Sequence, residues 1–523
     1  MDADSEKITS IHVVGGGDAG LLTALALNKG LADTEITVID DFEQSVPEVG
    51  KSTLSALLRF LYQSLEIDRE RLITNVKLAW KTTVYLKDWC GKEFHSPLGS
   101  SIPVVNHREG DTVTEPLSAP EKWLDPNHEA EFHEFYYRYL NGDFATMYGE
   151  LAERPGKTPF TIAKDGRFTA EKGVPEAAYH FNSLSLNRFL RTLCDERGVE
   201  LVDDRITEVA VSEDRIESIE GESERYVADL YVDATGFARV LMNELDNEFL
   251  SFDLPVDSAH VTTTDISLSD IVSATVVTTG DAGWFWQIDT VDVRDLGYVY
   301  SSSHISDEEA KREFIEHRDE EIDPDEIRTY RFESGVLERP WTANCVATGN
   351  ALGFVEPLQS TALTTTALLA ERLARLLSKH GRINHRGLRE LYNDSTRATW
   401  EEVYDFVSIY YIFNSGTTQF WKDARKINPE EIPHHGAYQD SGFSAPEDRR
   451  GLTRTFTDVN DYHLYHVILR ELGVDSMFYE KLDLEVDEEV ARKVDAYTAS
   501  LPDRAEEFLS YEELFQSFHP GFE

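Results

Sequence analysis

The stretch Ile8–Leu27, ITSIHVVGGGDAGLLTALAL, decides the fold. It opens on a short apolar run, passes through a glycine cluster and continues into an alanine- and leucine-rich run that reads as a helix. Gly15, Gly17 and Gly20 satisfy G-x-G-x-x-G at this strand-to-helix turn, with Ala19 inside it. Glycine at such a turn lets backbone N–H groups approach a pyrophosphate at the positive end of a helix. A second apolar run, EITVID, ends in Asp40, twenty residues after Gly20, where an acid can hold a ribose hydroxyl. Strand, glycines, helix, strand and acid in this order specify a dinucleotide-binding α/β unit.

Two later segments extend the unit. Ala228–Phe237, ADLYVDATGF, is a buried-type strand followed by a glycine turn, and Cys345–Pro357, CVATGNALGFVEP, is another, with Gly349 and Asn350 at its turn. Flavoproteins of the aromatic-hydroxylase type use returning strands of this kind against the pyrophosphate and ribityl chain, which argues for FAD. The expectation is an α/β, FAD-binding Rossmann-like fold with a discontinuous nucleotide domain drawn from residues 1–95, 178–245 and 330–385. Residues 96–177 and 246–329 are expected to form a mixed β-sheet substrate region, and 386–523 a mainly helical part that covers substrate. No second glycine fingerprint for a nicotinamide is present, so a separate flavin reductase is the expected source of reduced FAD.

At 523 residues the chain is too long for one simple core. Its 97 acidic against 50 basic residues leave a net charge of −47, spread along the whole chain. An excess so global suits a cytoplasmic protein of a halophilic organism better than a local acidic docking face, and it argues against nucleic acid as a partner. Cys90, Cys194 and Cys345 have no spacing suited to a zinc site or a disulfide framework, so no metal is expected. The polar start lacks an apolar signal core, and no run of about 18 apolar residues exists to span a membrane. Whether the chain pairs as a homodimer is left open.

Further motifs carry chemistry. Asp281–Asp289, DAGWFWQID, places Trp284 and Trp286 at alternate positions, so a strand would hold both on one face. Trp80–Trp89, WKTTVYLKDW, holds Lys81 eight residues before Trp89. Along one extended strand Lys77, Lys81 and Lys87 would share a face. GYVYSSSHIS follows at 297–306, Trp341, Asn344 and Cys345 lead into GNALGFVEPLQST, and His180 and Phe181 lie in AYHFN. YDFVSIYYIFNSGTTQFWKDAR comes near the C-terminus. In this order, from about residue 8 to 425, the chain resembles the flavin-dependent halogenases of the tryptophan halogenase family.

The resemblance implies an FADH2-dependent halogenase that uses O2 and chloride or bromide to make hypohalous acid at the flavin. An internal tunnel then leads the acid to a lysine, matched by Lys81, for electrophilic halogenation of an indole or other electron-rich aromatic. Trp284 and Trp286 match the G-W-x-W-x-I-P barrier that keeps organic substrate from the flavin, with Ile288 also matching and Asp289 in place of the proline. Thr361 and Ala362 match the halide contacts, where a helix N-terminus favours an anion. Ser52 and Thr53 of Gly50-Lys51-Ser52-Thr53 match the flavin strap, Lys51 standing where the family has Glu, and Ile206 and Leu363 join the flavin contacts. Gln359 stands where the family has the carboxylate before Ser-Thr, and an amide cannot act as a base near neutral pH. Substrate contacts are expected from His95, Tyr410, Tyr411, Phe420 and Trp421. Two alternatives share this fold: a flavin monooxygenase or reductase acting directly on an organic substrate, and a non-catalytic flavin-binding relative.

Overall fold

The computed structural model describes residues 8–42, 50–97, 103–105, 112–114, 147–162, 168–170, 177–212, 215–380, 386–427, 468–469, 471–473 and 488–518. The chain divides into two compact units. One comprises Met1–Lys77, Phe181–Asp257 and Arg331–Val407, the other Leu78–His180, Ser258–Tyr330 and Ser408–Glu523.

The first unit is built on a six-stranded sheet in the order Glu200–Asp203, Glu35–Asp40, Ser10–Val14, Leu230–Asp233, Cys345–Ala347, Trp341–Thr342. All neighbours are parallel except the last pair. A parallel sheet is covered on both faces, which is why its central strands are continuous apolar runs instead of alternating ones. Ile11, Val13, Val38, Leu230 and Val232 are fully buried there. The helix Asp18–Gly30 returns across the sheet and buries Leu21, Leu22, Leu25 and Leu27, each contributing roughly 1.5–3 kcal/mol of transfer free energy. The helix Ser183–Glu196 starts at Asn182, whose side chain accepts the Ser185 N–H.

The second unit centres on a seven-stranded mixed sheet in the order Arg328–Arg331, Ser258–Asp265, Val293–Tyr300, Gly283–Asp289, Ala274–Thr279, Thr83–Trp89, Lys92–Pro97. Register assigns its faces, because directly paired residues point the same way. Trp286 pairs with Val277 and Gly297, Val277 with Leu86, and Leu86 with Phe94. One face therefore carries Trp284, Trp286, Thr275, Val84 and Ser96. The other carries Phe285, Tyr298, Tyr85 and His95. On this second face Phe285, Leu296, Tyr298 and Tyr300 pack with Ala310 and Phe314 of the helix Asp307–Glu316, which opens on a Ser306/Glu309 capping box.

A short strand, Leu78–Lys81, runs beside Ala178–Phe181. Behind it Trp80 meets Phe160, Tyr179 and two residues of the helix Tyr511–Phe518, Tyr511 and Phe515. Among the described residues no helix is long and apolar enough to cross a membrane.

Candidate active site

The glycine turn of the first unit is shaped for close approach. Gly15 has φ +112°, and a Cβ on it would lie 2.4 Å from the Ala234 carbonyl oxygen; one on Gly20 would lie 2.0 Å from that of Gly15. Gly17 caps the helix with extended backbone and no side-chain cap bond, and nothing lies within 4 Å of its Cβ position. A helix N-terminus without a side-chain cap leaves its first N–H groups available to an anion. Asp40 Oδ2 accepts the Gly16 N–H at 2.8 Å. Burial pushes the Asp40 carboxyl up, with the Gly16 hydrogen bond pulling the other way. Ala19 meets Gly349, at φ +58°, across the turn. Thr53 is fully buried; Ser52, Ile206, Asn350 and Leu363 are half-buried. The glycine turn and Asp40 fit the phosphates and ribose of a dinucleotide.

Two residues of this cradle escaped the sequence reading. Asn187 donates to the Gly16 carbonyl at 3.0 Å and to Asp18 Oδ1 at 3.3 Å, bracing the loop from a helix 171 residues further on. Burial pushes the Asp18 carboxyl up, which reduces the negative charge presented to a phosphate. No local signal marks Asn187; only the packing of its helix puts it there.

In the same unit Gln359 and Ser360 adopt φ +65° and +61° in succession. Left-handed backbone costs a non-glycine residue roughly 1–2 kcal/mol, so the surrounding structure must enforce this turn. Gln359 and Thr361 are buried, and the Thr361 carbonyl accepts the Thr365 N–H at 2.9 Å as the helix Ala362–His380 begins. Glu356, also buried and not anticipated, accepts the Leu358 N–H at 3.0 Å.

In the second unit Lys81 is fully buried, and burial pushes its pKa down to about 7. Lys77 and Lys87 are exposed. The shared lysine face expected from the sequence does not form. The strand ends at Lys81, Thr82 turns out of it by donating its N–H to the Ser273 carbonyl at 2.8 Å, and Thr83 begins a strand of another sheet. Alternation puts Trp80 and Tyr179 on one side and Lys81 and His180 on the other. His180 is driven down to about 3, by burial first and then by the Lys81 charge. Its Nδ1–H donates to the Asp289 carbonyl at 3.0 Å, so its neutral Nε2 accepts from the Thr275 hydroxyl at 2.9 Å.

Asp289, the residue in place of the motif proline, thereby acquires a role. Its carbonyl holds His180, while its buried carboxylate takes the Val272 N–H at 2.8 Å and two Arg294 donors at 2.8 and 3.1 Å. Arg294 also bridges to Glu320 at 2.7 Å.

The Lys81 value has a consequence for stability. It lies below the unfolded-state value near 10.4, so between about 7 and 10.4 the unfolded chain binds more protons and stability rises with pH. The penalty for burying Lys81 is largest below pH 7. Lys81→Met is therefore expected to raise the urea midpoint more at pH 6 than at pH 10; an equal gain at both pH values contradicts the assignment.

The tryptophan strand meets an aromatic group. The Trp284 indole N–H donates to Tyr411 Oη at 3.0 Å, the Trp284 and Trp286 rings lie 5.9 Å apart, and Trp286 covers Gly297 so closely that a Cβ there would come within 2.0 Å of the indole. Tyr411 stacks on Trp421 at 6.0 Å, Phe420 meets Trp421 edge-on at 4.8 Å, and Tyr410 meets Trp89 edge-on at 5.9 Å. Tyr410, Tyr411, Phe420 and Trp421 are thus brought together with Trp89 and Trp284. His95 is not among them. It lies on the opposite sheet face, stacked on Tyr85 at 4.4 Å with Nε2 3.3 Å from Glu153. Its neighbour Ser96 faces the tryptophan side, fully buried and hydrogen-bonded to Tyr410. A shift of one residue exchanges faces, and FHSPLG alone carries no register. Among the described residues no group of His, Cys, Asp and Glu could hold a metal ion.

The first unit thus presents a glycine turn of the dinucleotide-binding kind, and the second a dry lysine beside a neutral histidine. The tryptophan halogenase family model matches residues 10–515. Tryptophan 6-halogenase SttH of Streptomyces toxytricini is 30% identical over 450 residues, covering 79% of this chain and 80% of that protein. Tryptophan 7-halogenase RebH of Lentzea aerocolonigenes is 28% identical over 442 residues, covering 81% and 80%. Among solved structures MibH, a lanthipeptide tryptophan 5-halogenase, superposes with a TM-score of 0.76 at 25% identity over 99% of this chain and 95% of that one. The chain belongs to the tryptophan halogenase family of flavin-dependent enzymes, which use reduced FAD and a halide.

Proposed function

We propose that this enzyme halogenates an indole or another electron-rich aromatic, with Lys81 receiving hypohalous acid. The carrying observation is Lys81 itself, fully buried beside His180 with its pKa lowered to about 7. Gly15, Gly17, Ala19, Gly20, Asp40, Ser52, Thr53, Ile206, Gly349, Asn350 and Leu363 would hold reduced FAD, which when bound would supply, with O2, the oxidising power needed to turn halide into hypohalous acid. Thr361 and Ala362 hold the halide at the start of their helix. Near pH 7 Lys81 is divided between two useful forms: the ammonium donates a hydrogen bond to the acid's oxygen, and the amine accepts the halogen. The ring forms a carbon–halogen bond and loses a proton, and the oxygen leaves as water. Gln359, an amide where the family has a carboxylate, does not take that proton. Tyr410, Tyr411, Phe420 and Trp421 would hold the flat ring, and Trp284 and Trp286 match the family's barrier motif.

The reaction is tested by product mass with chemically reduced FAD and added chloride or bromide. A hydroxylated product formed without halide sinks the reading and favours a monooxygenase. Ser96, not His95, faces the aromatic group, so Ser96→Val is expected to raise KM about tenfold. His95→Ala should leave KM within about twofold. The reverse order removes Ser96 from the pocket. A separate reductase is the proposed source of reduced FAD, and a salt-rich cytoplasm the proposed setting for a charge of −47. Unfolding by dialysis into dilute buffer, reversed by molar KCl, tests the latter.

A further inference from the structure

We infer that Tyr511, acting through Ser273, is the positioning residue that sets the place of Lys81; the inference rests on the reading of Lys81 as the group that receives hypohalous acid. The residues on both sides of Lys81, Trp80 and Thr82, are held by the same pair. On one side the Trp80 N–H donates to Tyr511 Oη at 3.0 Å. On the other, the Thr82 N–H and hydroxyl both donate to the Ser273 carbonyl at 2.8 Å. The two holders are joined, since Ser273 Oγ and Tyr511 Oη lie 3.1 Å apart.

Donor and acceptor roles follow from a single proton. The Ser273 hydroxyl donates to the Lys157 carbonyl at 2.7 Å, so its oxygen accepts from the Tyr511 hydroxyl. A one-way chain results: Trp80 N–H to Tyr511, Tyr511 to Ser273, Ser273 to the Lys157 carbonyl. Every member is buried or half-buried, where such chains are mutually reinforcing and costly to break.

The far end is anchored equally well. The Tyr511 N–H donates to the Gly156 carbonyl at 2.9 Å, the Leu509 N–H to that of Phe160 at 2.8 Å, and the Thr158 N–H to that of Leu509 at 2.8 Å. The Tyr511 ring lies 5.7 Å from the Trp80 ring, so the last helix presses on the back of the strand whose front carries Lys81. Packing alone would be served by phenylalanine. The hydroxyl is what reaches the Trp80 N–H and Ser273.

The test compares Tyr511→Phe, Ser273→Ala, the double variant and Phe515→Leu, each as full-length FAD-loaded enzyme. Three readouts are taken: halogenated product per reduced FAD consumed, hypohalous acid escaping to an added 1,3-diketone trap, and FAD affinity by fluorescence. Tyr511→Phe and Ser273→Ala are each expected to lower the product-to-trap ratio about tenfold or more with FAD affinity unchanged. The double variant should be little worse than either single one. The limb of the halogenation pH profile near 7 should move in both. Phe515→Leu weakens the packing on Trp80 without touching the chain, and should lower the unfolding midpoint while sparing the ratio. A ratio and pH limb at wild-type values in Tyr511→Phe, with only stability reduced, overturn the inference. If Tyr511→Phe does not fold, Ser273→Ala carries the same test. Should Lys81→Ala keep its halogenating activity, the reading of Lys81 fails instead, whatever Tyr511→Phe does.

Discussion

Lys81→Met should abolish productive halogenation, lowering the rate by about a thousandfold, while reduced FAD is still consumed in the presence of halide. The separation follows from the architecture. The cradle residues belong to the unit containing Met1–Lys77, and Lys81 to the unit beginning at Leu78. Methionine has nearly the volume of a lysine stem and suits a fully buried position, so the fold should survive. Lys81→Arg separates the two chemical roles: a guanidinium donates hydrogen bonds but does not give up its proton, so it can hold hypohalous acid and cannot become a haloamine. Partial activity in Lys81→Arg selects hydrogen bonding, and none selects the haloamine. Chromatography of halogenated product, beside a trap for free oxidant, measures both variants. A Lys81→Met rate within about tenfold of wild type removes this residue from the chemistry.

The second large effect is on stability. Arg294→Met should cost about 3 kcal/mol at neutral pH, since removing one partner of a buried ion pair leaves the other charge uncompensated. Asp289 is fully buried and would keep only the Val272 and Gln287 donors. Burial already pushes its carboxyl up, and loss of Arg294 leaves that push less opposed. A carboxyl raised above its unfolded value near 3.9 contributes stability below that value and loses it as pH rises through the folded one. The deficit in Arg294→Met should therefore shrink on acidification toward pH 4. Urea unfolding across pH 4–8 measures it, and a deficit independent of pH means that Asp289 is not the group left stranded. Because the Asp289 carbonyl also holds His180, the variant should disturb the Lys81 pocket as well.

The residues that could be read directly are those whose chemistry is local. Gly15, Gly17 and Gly20 act within one turn, and Asp40 ends the next strand, so spacing alone places them. Trp284 and Trp286 share a face because a strand alternates. Lys81 stands out in the sequence by its spacing to Trp89; both are buried in the second unit, at opposite ends of the strand Thr83–Trp89. Failures fall where geometry depends on partners. The lysine face broke at Thr82 because Ser273, nearly two hundred residues away, takes its N–H. His95 and Ser96 exchanged faces because register is set by Thr83–Trp89, not by FHSPLG. Tyr511 sits in a segment without any motif, and its role is visible only from the Trp80 N–H it receives.

The sequence by itself determined the dinucleotide cradle, the family likeness of the chain from its first strand to about residue 425, and the choice of Lys81 as the lysine proposed to receive the oxidant. Each of these is written in spacings of a few tens of residues, where backbone geometry permits few outcomes. Only the tertiary structure decided that Lys81 is dry while Lys77 and Lys87 are wet, that Asp289 supports His180, and that the last helix holds the lysine strand. Burial and hydrogen-bond partnership are properties of chains brought together across hundreds of residues. A lysine becomes a group poised near pH 7 only when those chains exclude water from it.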